Sequence, residues 1–400
     1  MSLRKLIFYI DWEQHYLKKV VNRITRKNND LESKLSLTIS AQEGLIDQEK
    51  FFNKKIASKD VSGYYLIKKG EFAYNKSYSK GFPWGTIKRL NRYNMGVLST
   101  LYIIFKPTNV DSNFLEKYYD TNYWHKEISM IATEGARNHG LLNIAPSDFF
   151  DSKLIIPVDK TEQYKVGNIL KKLDELIDLY QNQLLMYESL KKYLLQNLFP
   201  SDEEKVPNVR FADFSGDWGK RKFSELYEKM IEKNDLSFNS SQIISVANMY
   251  YKSGQNTNST EEYMKTYNIF LKGDIAYEGH KSKNFSYGRF VENDIGNGIV
   301  SHVFDVFRPK AKYDLYFWKY LINNENIMGY ILRKVTTKAT MMNNLVAKDF
   351  LKQKIKTPDY KEQENIGALL KQLDNFTELQ EDRLLILKKT KKYYLQKLFI

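Results

Sequence analysis

The sequence predicts a mixed α/β (α+β) protein. Two repeated globular domains are separated by two long antiparallel coiled-coil helices, in a pseudo-two-fold arrangement. Three observations predict this. The stretch Glu162 to Phe199 recurs as Glu362 to Phe399 at an offset of 200 with no gap. Weaker matches in the same order continue upstream of both copies. Between them lie β-branched and aromatic runs closed by proline, which read as strands.

Each copy of the gap-free repeat reads as one helix. Identical pairs include Glu162/Glu362, Gln163/Gln363, Gly167/Gly367, Leu170/Leu370 and Asp174/Asp374, and they continue through Lys191/Lys391 to Phe199/Phe399. No proline interrupts either copy, and Leu, Lys, Gln and Glu are good helix formers. Apolar residues recur at threes and fours: Val166, Ile169, Leu173, Leu176, Tyr180, then Tyr187, Leu190 and Leu194. The second copy gives Ile366, Leu369, Leu373, Phe376, Leu387 and Tyr394. The seam falters in the same place in both, at Gln181-Asn182-Gln183 and at Gln380-Glu381-Asp382-Arg383. A helix of about 38 residues is ~57 Å long, too long to bury in one small domain. Pairing the two copies as a coiled coil is the economical solution.

The globular segments repeat less strictly. Asp11-Trp12 matches Asp217-Trp218 at offset 206, Lys69-Gly70 matches Lys272-Gly273 at 203, and Phe149 and Pro157 match Phe350 and Pro358 at 201. A drifting offset means insertions in loops, whereas a locked one marks a rigid element. Leu98 to Phe105 and Ile299 to Phe307 read as strands, as do Tyr64 to Ile67 and Ile243 to Val246. Helices are expected around Asn113 to Ile131 and Leu315 to Leu332. Pro200, the polar run Ser201 to Lys205 and Pro207 read as a linker. The expected division is therefore a first domain over 1–157, a helix over 158–199, a linker over 200–216, a second domain over 217–358 and a final helix over 359–400.

Composition narrows the function. A chain of 400 residues suits two cores rather than one. The formal net charge of +14 suits an anionic partner, nucleic acid or an acidic membrane surface. Cys is absent, which excludes disulfides and thiolate metal sites and fits a reducing, cytoplasmic location. Asp11 ends the apolar run Leu6 to Ile10 too early for a secretory signal, and no stretch approaches the ~20 apolar residues of a membrane span. We therefore expect a soluble protein with no membrane partner.

Catalytic constellations are missing. There is no Asn-Pro-Pro-Tyr loop of an amino-methyltransferase and no phosphate loop, since Gly219-Lys220 continues as Arg221. The five His form no HExxH pair, and no GxSxG elbow occurs. Basic clusters instead recur at matching places. The first domain carries Lys68, Lys69, Asn75, Lys76, Tyr78, Lys80, Lys88, Arg89 and Arg92, then Arg137 and Asn138. The second carries His280, Lys281, Lys283, Asn284 and Arg289, then Lys334, Thr336, Thr337 and Lys338. Lys and Arg neutralise phosphates, and Arg, Lys and Asn on loops also reach base edges. A single such cluster could be a solvated face; its repetition in a basic chain favours nucleic acid. Trp84 and Tyr287, set among the clusters, read as packing residues.

These residues resemble the specificity (S) subunits of type I restriction–modification systems. The resemblance covers nearly the whole chain. It rests on the Asp-Trp that opens each domain (Asp11-Trp12-Glu13 and Asp217-Trp218-Gly219), on Pro157 to Glu162-Gln163 and Pro358 to Glu362-Gln363, and on the Lys-Lys-Tyr to Leu-Phe helix ends. The apolar Leu6 to Ile10 departs from the polar lead usual in the family. The resemblance implies a non-catalytic subunit whose two target-recognition domains each read one half of a split double-stranded DNA site. It implies that the helices dock two modification (methyltransferase) subunits, with Leu173, Leu176, Tyr180, Tyr187, Leu373, Phe376, Leu387 and Tyr394 as candidate partner-binding residues. No cofactor is expected on this chain; S-adenosylmethionine, ATP and magnesium would sit on the modification and the restriction/motor subunits. The rival readings are a coiled-coil adaptor without DNA specificity and a stand-alone DNA-modifying enzyme.

Overall fold

A computed structural model describes residues 11–79, 81–132, 141–252, 260–338 and 342–399. The chain forms two compact units, one comprising residues 1–181 and 382–400, the other residues 182–381. The divisions fall within the long helices, at the two places where the apolar seam falters in the sequence. Each unit is thus a globular domain, the first half of the helix that follows it, and the second half of the other helix.

In the first unit, β1 (Trp12–Tyr16), α1 (Leu17–Val20), β2 (Val21–Ile24), β3 (Leu37–Ser40), β4 (Gly44–Asp47) and α2 (Gln48–Phe52) come first. Then follow β5 (Tyr65–Lys68), β6 (Phe72–Asn75), β7 (Thr86–Arg89), β8 (Met95–Leu98) and β9 (Ile103–Pro107). Helices α3 (Ser112–Tyr119), α4 (His125–Ile131) and α5 (Pro146–Phe150) lead to β10 (Lys153–Pro157) and the long α6 (Lys160–Asn197). An antiparallel sheet of order β2-β9-β6-β7 forms the centre, with β1-β10, β3-β4 and β5-β8 as two-stranded ribbons.

The second unit repeats this plan. Its elements are β11 (Gly219–Lys222), α7 (Phe223–Leu226), β12 (Tyr227–Met230), β13 (Ile244–Ser245), β14 (Tyr250–Tyr251), α8 (Glu261–Met264), β15 (Asn268–Phe270), β16 (Ile275–Glu278) and β17 (Arg289–Glu292). They continue as β18 (Gly298–Val300), β19 (Val306–Pro309), α9 (Leu315–Ile322), α10 (Glu325–Val335), β20 (Thr336–Lys338), β21 (Asn343–Leu345), α11 (Ala347–Lys352), β22 (Lys354–Thr357) and α12 (Tyr360–Lys397). The central sheet, β12-β19-β16-β17, has the same order as its counterpart.

One expectation needs correction. The runs Leu98 to Phe105 and Ile299 to Phe307 are not continuous strands. Each is interrupted by a turn, Tyr102 N–H donating to Ser99 O and Phe304 N–H to Ser301 O. The strands either side join different sheets. Short helices do occupy the segments around Asn113 to Ile131 and Leu315 to Leu332, two in each, separated at Asp120–Trp124 and Asn323–Asn324.

The repeated motifs meet at the start of each long helix. In the first unit β1 pairs with β10 so that Trp12 lies opposite Pro157. This brings the Trp12 indole to Glu162, Nε1 donating to Oε1 at 2.9 Å. Gln163 bridges two elements: its Nε2 donates to Pro157 O at 2.7 Å, and its Oε1 accepts from Asp111 N–H at 2.8 Å. Asp111 in turn caps α3, accepting from Phe114 N–H at 2.8 Å. The second unit repeats every link with Trp218, Glu362, Gln363, Pro358 and Asp314. Asp159 and Asp359 cap the long helices themselves, accepting from Thr161 N–H and Glu362 N–H.

Gly167 and Gly367 complete the junction. A Cβ at Gly167 would lie 2.3 Å from Phe114 N, and one at Gly367 would lie 2.8 Å from Phe317 N. Only glycine lets the first turn of α3 or α9 sit directly on the long helix. The repeated helix ends close the cores: Leu398 and Phe399 pack in the first, Leu198 and Phe199 in the second.

The helices pair antiparallel in each unit. In the first, Asp174 of α6 accepts from Lys391 of α12 at 2.5 Å, and the Arg383 guanidinium lies 5.6 Å from the Tyr180 ring. In the second, Asp374 pairs with Lys191, and Phe376 stacks on Tyr187 at 5.7 Å.

Candidate nucleic-acid interface

In each unit a basic loop meets a segment that lies far from it in sequence. In the first, the 76–85 loop joining β6 to β7 meets the segment that follows residue 140. Leu142 N–H donates to Lys76 O at 2.9 Å, and Lys76 Nζ donates to Ile144 O at 3.1 Å. In the second, the 279–288 loop joining β16 to β17 meets the β20–β21 hairpin. Asn343 N–H donates to Gly279 O at 2.8 Å. Both loops are fastened by the same bond, a buried tyrosine hydroxyl donating to a loop carbonyl: Tyr74 to Trp84 O and Tyr277 to Tyr287 O, each at 2.7 Å. Trp84 and Tyr287 pack against their domain cores.

The candidate side chains then divide. His280, Lys281, Lys283 and Asn284 are exposed on one loop, and Arg333, Lys334, Thr337 and Lys338 are exposed beside it. Lys334 lies over the Tyr330 ring at 3.7 Å, and the Thr336 hydroxyl donates to Leu332 O. In the first unit Lys69, Tyr78 and Arg92 are exposed, while Asn75 accepts from Ser77 N–H within the loop. Lys68 pairs with Glu32 at 3.4 Å on the surface. Burial lowers the Lys76 ammonium pKa, and its proton is directed at a carbonyl. Lys80, Arg137 and Asn138 lie outside the described residues.

Lys88, Arg89 and Arg289 are held by acids of their own domain. Lys88 pairs with Asp120 at 2.8 Å and Arg289 with Glu278 at 2.7 Å. Arg89 donates to Glu116 at 2.7 Å, to Ser112 and to Asn91. The repeat offset of 203 puts Glu292, Asp294 and Lys319 where the first domain has Arg89, Asn91 and Glu116. The charges are inverted at the same place in the sheet, and Lys319 pairs with Asp294 at 2.6 Å. A structural ion pair tolerates such inversion, but a phosphate ligand does not.

The second network has an unbalanced member. Both carboxylate oxygens of Glu292 are buried without a hydrogen-bond partner among the described residues, as is the nearby Tyr227 hydroxyl. Burial raises the Glu292 pKa well above the usual carboxyl range, Asp294 and Asp314 raise it further, and Lys319 opposes them. The folded state therefore holds a proton that the unfolded chain releases, so this group lowers stability as pH rises above the ordinary glutamate range. Glu292→Gln is expected to stabilise the second unit by ~1–3 kcal/mol at pH 8. The gain should shrink towards pH 4. Urea unfolding at the two pH values checks both.

Residues 215–389 match the type I restriction modification DNA specificity domain. The match falls on the second repeat and the first part of the helix that follows it. A type I restriction–modification S subunit from M. genitalium superposes with a TM-score of 0.57 at 14% identity, over 100% of this chain and 99% of that one. The HsdS subunit from Thermoanaerobacter tengcongensis aligns over 98% of both chains at 15% identity, with a TM-score of 0.45. No curated protein matches the chain. The resemblance read from the sequence therefore holds: the chain has the fold of a type I specificity subunit, with the specificity domain in its second half and the same plan in its first.

The long helices also carry an exposed apolar surface, of which sequence reasoning named only Leu176, Leu190 and Phe376. Of the seam residues named as partner contacts, Leu373 is buried in the second core, and Leu173 and Tyr394 pack against the first. Tyr180 and Tyr187 are engaged as described above, and Leu387 is half-buried. Leu176 and Phe376 are exposed. With Leu176 in the first unit are exposed Leu179, Ile386 and Tyr393; with Phe376 in the second are exposed Leu379, Met186, Leu190 and Tyr193. Positions 176, 179, 186, 190 and 193 share one helical face, away from the packed one. Leu179, Met186 and Tyr193, which extend Leu176 and Leu190 along that face, were the available signal.

Among the described residues, no group of three or more His, Asp or Glu could hold a metal ion. No described helix is long and apolar enough to cross a membrane.

Proposed function

We propose that this chain is the sequence-reading subunit of a type I restriction–modification complex, working in the cytoplasm without a membrane partner. Each domain reads one half of a bipartite double-stranded DNA site. The loop at 279–288 with strands β20 and β21, and the matching loop at 76–85, supply the contacts to bases and phosphates. Two methyltransferase subunits dock on the exposed apolar faces of the long helices, once per unit, and restriction/motor subunits join them. The chain itself catalyses nothing; S-adenosylmethionine, ATP and magnesium act on the partners. The observation that carries this reading is the specificity domain over 215–389, repeated in plan by the first unit. A two-fold repeat offers one partner two equivalent seats.

Exchanging residues 217–358 for the matching segment of a relative should change one half-site and leave the other alone. Genome-wide mapping of methylated adenines reads the result. A change in both halves would refute independent reading. Methylation by this chain in isolation would favour the stand-alone enzyme.

A further inference from the structure

The first unit contains an open groove of about 1490 Å³ between the β7 side of its domain and its part of the helix pair. Its lining carries nine Lys and Arg side chains against six Asp and Glu. Most of these neutralise one another: Lys88 with Asp120, Arg89 with Glu116, Lys117 and Lys391 with Asp174, and Lys171 with Glu175. Four exposed cations remain without an ion pair among the described residues. Lys69 and Arg92 stand on the domain wall, Lys388 and Lys392 on the helix wall. Only Glu43 and Asp178 offset them.

The repeat preserves only half of these four cations: Lys69 and Lys392 recur as Lys272 and Lys192. The counterparts of Arg92 and Lys388 in the second half are Ile295 and Glu188, and those of Arg89 and Asn91 are the acids Glu292 and Asp294. The excess of positive charge is thus larger in the first unit, although the fold around it is repeated.

We propose that this groove seats a DNA phosphate backbone without reading sequence, so that non-specific affinity is concentrated in the first unit. Exposed lysines on a helix carry salt-sensitive phosphate contacts and no base information. The proposal rests on the reading of the chain as a DNA-recognition subunit.

The test uses the full chain, a duplex carrying the methylated site and a scrambled duplex of equal length. K388A/K392A should weaken both duplexes by a similar factor. It should flatten the slope of log K against log salt by about 0.9 per contact, or ~2 for the pair. Glu188→Ala, at the counterpart of Lys388, should leave the slope unchanged. Circular dichroism should show intact helices, because both lysines are exposed. An unchanged slope in K388A/K392A, with the wild type still preferring its own site, overturns the groove and leaves the recognition reading standing. A loss confined to the cognate duplex overturns it as well, since that would be base reading. A wild type that binds neither duplex at any salt overturns both.

Discussion

Phe399→Ala is expected to destabilise the first unit by ~3–5 kcal/mol, the usual cost of emptying a buried aromatic site. Phe399 is 3% exposed. Its ring lies 5.3 Å from Phe114, 6.2 Å from Tyr118 and 6.4 Å from Trp12. These partners come from the other end of the sequence, so the last residues of the chain complete the core of the first domain. Deleting residues 396–400 should do more, because Leu398 goes with it. Hydrogen exchange resolves the effect by segment. Protection should fall across β6, β9 and α3 and persist across β16, β19 and α9. Phe199→Ala is the reciprocal control, since Phe199 packs on Phe317 in the second core. Equal loss in both units, or none in the first, would contradict the division of the chain.

The sequence made some of this legible and hid the rest for identifiable reasons. The long helices were legible because a rigid element admits no insertion, so its two copies kept one offset. The antiparallel pairing makes the identity of Asp174/Asp374 and Lys191/Lys391 intelligible: each Asp meets the Lys of the opposite helix within its own unit. Gly167 and Gly367 stood out as identical but unexplained, because their constraint is a backbone from another element. The turns at Ser99–Tyr102 and Ser301–Phe304 were hidden because they contain neither Gly nor Pro, and the flanking strands are buried on both faces and do not alternate. At the candidate site, position was legible and availability was not. Charge counting cannot distinguish Lys281, which is exposed, from Arg89, whose partner Glu116 lies 27 residues on. The inversion to Glu292 was present in the repeat at offset 203, and the sheet register places the two positions alike, opposite Phe72 and Ile275.

Glu362→Ala should cost the second unit ~3–5 kcal/mol, the range for breaking a buried ion pair from one side. The Glu362 side chain is 1% exposed. It accepts two bonds from Arg210, at 2.8 Å to each oxygen, and one from the Trp218 indole at 3.3 Å. Removing the carboxylate leaves a guanidinium and an indole N–H without their acceptor. Arg210 retains the Gly216 and Ser215 carbonyls and some access to water, which places the expected loss near ~3 kcal/mol. Glu362→Gln keeps an acceptor for Trp218 and gives up the charge, so it should fall between the alanine variant and the wild type. A double-mutant cycle with Arg210→Ala separates the pair from the site. If the carboxylate acts mainly through Arg210, the double variant should lose clearly less than the sum of the single losses. Strict additivity in urea unfolding would instead assign the role of Glu362 to Trp218 and to the start of the long helix.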